Sequence, residues 1–142
     1  MRGICSRKEC CRMEIAAKLE KLEVEDIEGA LDQLCKENYI NEARYAAAFA
    51  RDKSSLQGWG SLKIRLSLQA KGIDAQTIAD ALGDIDRDAA DAKLEALLRA
   101  KLRTLKAETD PRKRYGKILR FALGRGYSYD QIKKSYDNIR TD

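Results

Sequence analysis

Hydrophobic residues along most of this chain recur three or four positions apart, the spacing that places them on one face of a helix. No alternating run is long enough for a convincing strand. The pattern predicts successive helices that begin near residues 6, 26, 41, 61, 74, 88, 110 and 128. We therefore expect an all-α fold of about eight or nine helices.

The stretch Gly58–Ile73 organises the rest of the chain. Two glycines precede a predicted helix from Ser61 to about residue 71, and Gly72 is suited to the left-handed position that ends a helix. Trp59 and Ile64 have the spacing of a hydrophobic staple. Two apolar stripes, Ile64 with Leu68 and Leu62 with Leu66, predict that this helix is buried between two neighbours.

Several other helix starts are marked by side chains that accept hydrogen bonds from the first turn. Ser followed three residues later by Glu or Gln is the signature of a capping box. Asn and Asp are favoured as N-cap residues, and Pro is favoured at the first helical position. The marked starts are Ser6 with Glu9, Asn41, Asp74, Asp110 before Pro111, and Ser128 with Gln131.

The helical pattern repeats along the chain. Ile64 and Ile78 lie 14 residues apart, as do Ile118 and Ile132, and each pair spans a helix-ending glycine. In the first repeat Ile15 and Ile27 are only 12 residues apart, and no glycine lies between the two helices. The sequence therefore predicts that two residues are missing there relative to the other two repeats and that the turn differs. We expect an elongated array of three-helix repeats over residues 1–57, 58–109 and 110–142, the last of them partial.

The formal net charge of +5 is concentrated at the end of the chain. Residues 110–142 hold 9 Lys/Arg and 4 Asp/Glu, whereas residues 1–57 sum to −1 and residues 58–109 to +1. A basic end favours an acidic partner, such as nucleic acid or an acidic protein surface. The alternative is a solvated face without a partner.

Composition favours a cytoplasmic protein. No run approaches the ~18 apolar residues that a transmembrane helix needs, and the N-terminal stretch lacks the apolar segment of a signal peptide. In the cytosol the four cysteines stay reduced. Their spacing and the absence of His argue against a zinc site, so small core residues are the simpler interpretation. These cysteines are Cys5, Cys10, Cys11 and Cys35.

The residues of an enzyme are not apparent. The chain has no His, no P-loop and no dinucleotide-binding glycine motif. A cysteine nucleophile would have no His base. We expect a protein without catalytic residues, cofactor, metal or small-molecule substrate.

The candidate contact residues are cations on two predicted helices. In the helix after Pro111, the apolar stripe is predicted to consist of Tyr115, Ile118, Leu119, Ala122 and Leu123. Three cations fall together on the opposite side of this helix: Lys113, Lys117 and Arg120. No acid lies between Pro111 and Tyr129 to neutralise them. The full candidate set is Lys63, Arg65, Lys71, Lys113, Lys117, Arg120 and Arg125.

The aromatic residues of the chain are predicted to pack rather than to stack on bases. Trp59 is interpreted as a staple, and Phe121 falls at the edge of the apolar face of its helix. Proteins that bind bare single strands usually offer aromatic platforms beside their cations.

Several segments together resemble the RecX family of recombination regulators. The segment Gly58–Ile73 resembles the Gly-aromatic-Gly, basic helix and Lys-Gly-Ile of that family. Ser6–Glu9 is similar to the family's opening, although Cys10 stands where many members have His. Residues 39–46 are similar to its second-to-third helix join, with Asn41 in place of Asp, and residues 120–128 are similar to its last-repeat motif. The resemblance covers about residues 4–139.

The resemblance implies an elongated helical array that binds the RecA recombinase and its filament on single-stranded DNA. Members usually inhibit filament growth, ATP hydrolysis and strand exchange in recombination, DNA repair and the SOS response. The alternative from the residues alone is a nucleic-acid-binding helical protein that acts by itself.

Overall fold

The computed structural model describes residues 2–3 and 9–140, and this part of the chain contains eight long helices and no strand. The all-α prediction is therefore confirmed. The helices are α1 Arg12–Lys21, α2 Ile27–Lys36, α3 Glu42–Ser55, α4 Ser61–Ala70, α5 Ala75–Gly83, α6 Arg87–Thr104, α7 Pro111–Gly124 and α8 Tyr129–Arg140. Among these helices, none is both long and apolar enough to cross a membrane.

The chain divides into two compact units. The first unit comprises Met1–Ala50 and Leu66–Asp84, and the second unit comprises Arg51–Arg65 and Ile85–Asp142. The division falls within α3 and within α4.

In each unit, the residues that the predicted helical spacing places on one face of a helix form the core. In the first unit the core contains Ile15 and Leu19 of α1, Leu31 and Leu34 of α2, and Cys10 and Ile40. In the second unit it contains Leu94 and Leu98 of α6, Ile118 and Ala122 of α7, Ile132 and Tyr136 of α8, and Tyr127. Residues three or four apart on one helix share a face, so each pair enters the same core.

Most of the predicted helix caps are confirmed. Side-chain oxygens of three cap residues accept backbone N–H groups at 2.7–3.0 Å: Asn41 from Arg44, Asp74 from Thr77 and Asp110 from Arg112. Before α8, Ser128 Oγ accepts from Gln131 N–H at 3.2 Å, and Gln131 Oε1 accepts from Ser128 N–H at 3.0 Å.

The first helix begins at Arg12, so the prediction of a helix from Ser6 through residues 9–11 is wrong. Ser6 itself lies outside the described residues. Glu9 forms an ion pair with Arg44 at 3.0 Å instead of capping a helix. The backbone N–H at the start of α1 is hydrogen-bonded by a residue distant in the chain: Glu42 Oε1 accepts the N–H of Arg12 at 2.6 Å.

Three helix ends share one hydrogen-bond pattern, and the first turn differs from the others after that point by being longer: Asp26 caps α2 three residues after Glu23, whereas Asp74 caps α5 two residues after Gly72. The N–H groups of Val24, Ile73 and Tyr127 donate to the carbonyls of Leu19, Leu68 and Ala122 at 3.2–3.3 Å. The residue before each donor has positive φ: Glu23 at 58°, Gly72 at 78° and Gly126 at 97°. No residues are missing from the first repeat. Leu31 and not Ile27 is the buried residue of α2, so the proposed alignment was out of register.

Two apolar stripes are less buried than predicted. Leu62 is 44% exposed and Leu66 is 65% exposed, whereas Ile64 and Leu68 are fully buried. Helix α4 is therefore covered on one side only. Leu123 of α7 is also 45% exposed, while Ile118 and Ala122 reach the core. Leucine spacing alone does not say how many neighbours a helix has.

Two cysteines, Cys10 and Cys11, are fully buried, as expected of small core residues, whereas Cys35 is exposed. Burial raises the pKa of the Cys11 thiol, which keeps it protonated and unreactive. Cys5 lies outside the described residues. Within the described ranges, no group of three or more Cys, Asp or Glu is arranged to hold a metal ion.

Candidate basic interface of the second unit

The two compact units carry opposite net charges. The first unit holds 9 Lys/Arg and 13 Asp/Glu, a net of −4, and the second holds 19 and 10, a net of +9. Sequence segments predicted an excess of only +5, confined to residues 110–142. The tertiary structure adds the basic residues of 51–65 and 85–109 to the same unit, so the basic surface is larger than the sequence indicated.

Lys71 is the candidate cation that lies in the first, acidic unit. Its ammonium is 3.1 Å from Glu14 Oε1, and the Tyr45 hydroxyl donates to the same oxygen at 2.7 Å. Lys71 also lies about 6 Å from the ring centroids of Tyr45 and Phe49. Burial alone would raise the pKa of Glu14, but the hydrogen bonds from Tyr45 and Lys71 outweigh it and lower that pKa. Lys71 thus has internal partners.

In the second unit, the start of α4 meets the end of α7 through backbone atoms. The N–H of Gly60 donates to the carbonyl of Arg125 at 2.7 Å, and the N–H of Leu62 donates to that of Gly126 at 3.0 Å. A Cβ at Gly60 would clash with the backbone of Gly126, and one at Gly126 would clash with Lys63. We call this contact the α4–α7 joint. The unpaired N–H groups at the start of α4 are thus hydrogen-bonded to the unpaired carbonyls at the end of α7.

Trp59, just before the joint, is flanked by two lysines. The ammonium nitrogens of Lys53 and Lys63 lie 4.7 Å and 4.4 Å from its ring centroid. Cations at this distance are attracted by the ring quadrupole. The predicted staple between Trp59 and Ile64 stays a prediction.

Phe121 of α7 is flanked in the same way. Lys101 Nζ and the Arg125 guanidinium carbon each lie 5.3 Å from its ring centroid. Arg125 Nη1 also donates to the carbonyl of Gln57 at 2.9 Å. The candidates Lys63 and Arg125 therefore stand beside aromatic rings, and part of each side chain packs against the protein.

Two of the three candidate cations of α7 are exposed and form no ion pair with a described residue: Lys113 and Arg120. The third, Lys117, lies 2.9 Å from Glu108 Oε2, and this hydrogen bond lowers the pKa of Glu108. Glu108 precedes the helix and so lies outside the stretch from Pro111 to Tyr129 that has no acid. Arg65 of α4 is likewise exposed and unpaired in the described part of the chain.

Sequence reasoning overlooked Lys53 and Lys101 as members of this surface. Lys101 could have been identified from the sequence, because it interrupts the apolar face predicted for α6. A cation at such a position often lies beside an aromatic ring, as it does here with Phe121. Lys53 had no comparable signal, since its contact with Trp59 depends on the turn after α3.

Two family models match the chain. The model described as the second three-helix domain of RecX matches residues 41–82, and that of the third three-helix domain matches residues 89–134. The first span contains α3, α4 and nearly all of α5, and the second begins inside α6. The repeat boundaries predicted at Gly58 and Asp110 stay a prediction.

The curated relatives that match are named Regulatory protein RecX. One, from Pseudomonas entomophila (strain L48), is 35% identical over 131 residues, which are 91% of this chain and 82% of the relative. Another, from Clostridium botulinum (strain Eklund 17B / Type B), is 37% identical over 116 residues, or 81% of this chain. The chain spans about half of that clostridial protein, 54% of its length.

Solved structures agree with these matches. The crystal structure of RecX from Lactobacillus salivarius superposes with a TM-score of 0.85 at 27% identity, over 99% of this chain and 92% of that one. A second crystal structure, of regulatory protein RecX, has the same TM-score at 23% identity and shows the fold alone. Fold, matched domains and identity lead to one conclusion: this chain belongs to the RecX family of regulatory proteins.

Proposed function

We propose that this protein regulates the RecA recombinase by binding its filament on single-stranded DNA. Binding inhibits filament growth, ATP hydrolysis and strand exchange, and so limits recombination and DNA repair in the cytoplasm. The protein acts by binding and not by catalysis, without a cofactor. Membership of the RecX family supports this assignment, because its curated relatives carry the name of a regulatory protein.

The observation that carries the proposal is the charge of the second unit, a net +9 with outward cations that form no ion pair with a described residue. Arg65, Lys113 and Arg120 are exposed and unpaired among the described residues. A filament of protein on a single strand presents phosphates and carboxylates, and such groups attract unpaired guanidinium and ammonium groups. We therefore place the filament contact on this surface of the second unit.

The remaining candidates have weaker support as contacts. Lys71 and Lys117 already pair with Glu14 and Glu108, so a partner would have to displace an existing carboxylate. Lys63 and Arg125 keep their charged ends near rings, where a second anion can still approach. We rank them below the three unpaired cations.

The second candidate function is a protein that binds single-stranded DNA by itself. The basic surface supports it, since cations that neutralise phosphates are enough for non-specific binding. The rings argue against it. Trp59 and Phe121 are only partly exposed, and their cations lie over the rings, so a stacking base would have to displace a cation from the ring face.

The test is the ATPase activity of RecA on single-stranded DNA, titrated with the parent protein and with two charge-reversal variants. K113E/R120E reverses four units of charge on the outward side of α7. K21E/K36E reverses the same four units on exposed lysines of the first unit, which also lack ion pairs with described residues. We expect the first variant to need at least tenfold more protein for equal inhibition, and the control to act like the parent.

Helical circular dichroism and the melting temperature should stay close to those of the parent, because exposed substitutions usually change stability by about 0.5 kcal/mol or less. Inhibition by the parent should weaken as salt rises, since exposed charges are screened beyond ~8 Å at physiological ionic strength. Equal inhibition by K113E/R120E and the parent would remove this surface from the contact. Tight binding to bare single strands with no effect on RecA would favour the second function.

A further inference from the structure

Two exposed leucines flank the α4–α7 joint. Leu62 is 44% exposed and Leu123 is 45% exposed. The backbone of each leucine is hydrogen-bonded to Gly126. The N–H of Leu62 donates to Gly126 O at 3.0 Å, and the N–H of Gly126 donates to Leu123 O at 3.0 Å. The backbone therefore brings two apolar side chains from different helices to one region of the second unit.

The core beneath this region is already complete. Ile64, Ile118, Ala122 and Tyr127 are all 2% exposed or less, so neither leucine is needed to fill it. Leu62 lies two residues before Ile64, a rotation of about 200° around the helix, which turns it away from the buried side. The leucines thus add apolar surface that the fold itself does not bury.

Each leucine has an unpaired arginine on its own helix. Arg65 follows Leu62 by three residues on α4, and Arg120 precedes Leu123 by three residues on α7. Residues three apart are neighbours on a helix surface. Both arginines are exposed and form no ion pair with a described residue, and no acid occurs in residues 58–65 or 111–129. We call these four residues the joint face.

We propose that the joint face binds a protein surface that presents apolar side chains beside Asp or Glu carboxylates. The inference rests on the proposed function, and it assigns this face to the protein part of the filament and not to its DNA. The buried centre of a protein interface is more apolar than the surrounding surface, and interfaces are enriched in Arg. A single strand would pair with the two guanidinium groups but gains little from leucine, which has no ring on which a base can stack.

The test replaces both leucines by glutamine, a good helix former that removes the apolar contact. The control is L22Q/L56Q, since Leu22 is 64% and Leu56 is 72% exposed and neither belongs to the joint face. A second variant, L62M/L123M, keeps the face apolar and should fold in any case. Binding is measured to the RecA filament on single-stranded DNA and to the same DNA without RecA.

We expect L62Q/L123Q to bind the filament at least tenfold more weakly than the parent and to bind the bare strand equally well. L22Q/L56Q and L62M/L123M should match the parent on both probes. Sedimentation of the parent and L62Q/L123Q should show the same oligomeric state.

Filament binding by L62Q/L123Q that equals the parent's would overturn the inference and leave the proposed function in place. An equal loss on the bare strand would assign the face to nucleic acid instead. A parent dimer that L62Q/L123Q dissociates would identify a second copy of this chain as the occupant. A parent that does not bind the filament at all would remove both the proposed function and this inference.

Discussion

The two ends of α4 are held by different kinds of contact. In the first unit, Lys71 just beyond α4 donates to Glu14, which also accepts from Tyr45. In the second unit, Gly60 just before α4 donates its N–H to the carbonyl of Arg125, and side chains take no part in that bond. One end depends on ionised side chains, and the other depends on close approach of two backbones.

The same contrast extends to the use of charge. In the first unit the described arginines are paired inside the unit, whereas lysines such as Lys21 and Lys36 are not: Arg12 pairs with Glu28 and Asp32, Arg44 with Glu9, and Arg2 with Glu37. In the second unit, several cations lie near rings or have no acidic partner in the described part. The lesson is that a joint made of backbone atoms leaves charged side chains available for a partner. Four sets of substitutions test this comparison.

The largest expected effect is that of Gly60→Ala. The added Cβ would clash with the backbone of Gly126 and Tyr127, so the α4–α7 joint must open and lose its two hydrogen bonds. We expect a loss of about 4 kcal/mol in the free energy of unfolding. Urea denaturation measures it. The matched control is Gly116→Ala inside α7, where nothing lies within 4 Å and we expect a gain of about 0.5–1 kcal/mol.

The next effect is that of Glu14→Ala in the first unit. The change leaves the Tyr45 hydroxyl and the Lys71 ammonium without their acceptor, which should cost about 2 kcal/mol of unfolding free energy. Asp137→Ala is the control, since it breaks an exposed i,i+4 pair with Lys133 and should cost about 0.5 kcal/mol or less. Equal losses from the two changes would mean that the Glu14 cluster is no more than an ordinary surface pair.

A smaller effect compares the equivalent helix ends within the first unit. Glu23 has φ 58° without being glycine, so Glu23→Gly should stabilise the protein by about 1 kcal/mol. Gly72→Ala should destabilise it by a similar amount, because its Cβ would meet only the flexible end of Met13 at 3.1 Å while its φ of 78° becomes strained. Thermal unfolding measures both. Glu25→Gly, at a negative φ, should lose stability and serves as the control.

The smallest expected effect is a change in pH dependence. Burial raises the pKa of Glu42, a shift that the hydrogen bond from Arg12 N–H only partly offsets, and its Oε2 has no partner among the described atoms. The folded state therefore binds this proton more tightly than the unfolded state does. Its contribution to stability is greatest below the unfolded pKa and falls as pH rises through the folded pKa.

Glu42→Gln removes this titration. We expect the variant to gain stability relative to the parent above the raised pKa and to lose that advantage as pH falls towards the ordinary pKa of a glutamate. Glu14→Gln should behave in the opposite way, since the pKa of Glu14 is lowered and its stabilisation is lost as pH falls. Unfolding measured at pH 7 and pH 4 separates the two. Parallel shifts of both variants would contradict this assignment.

The sequence predicted most of the helices and caps and two of the three repeated helix ends. Asn41, Asp74 and Asp110 cap helices by bonding to N–H groups two or three residues away, so no distant residue had to be known. The candidate site was predicted less completely. Lys113, Arg120 and Arg65 are exposed as proposed, while the partner of Lys117 was missed and Leu123 was placed in the core.

The sequence by itself therefore determined what short-range geometry controls: where helices begin, where Gly72 and Gly126 end them, and which residue pairs share a face. Only the tertiary structure decided that Lys71 pairs with Glu14 and that Leu62 stays 44% exposed. It also decided that residues far apart in the chain gather into one unit of net charge +9. The physical reason is range, because a cap is satisfied within one helical turn, whereas burial and ion pairing depend on which distant segments pack together.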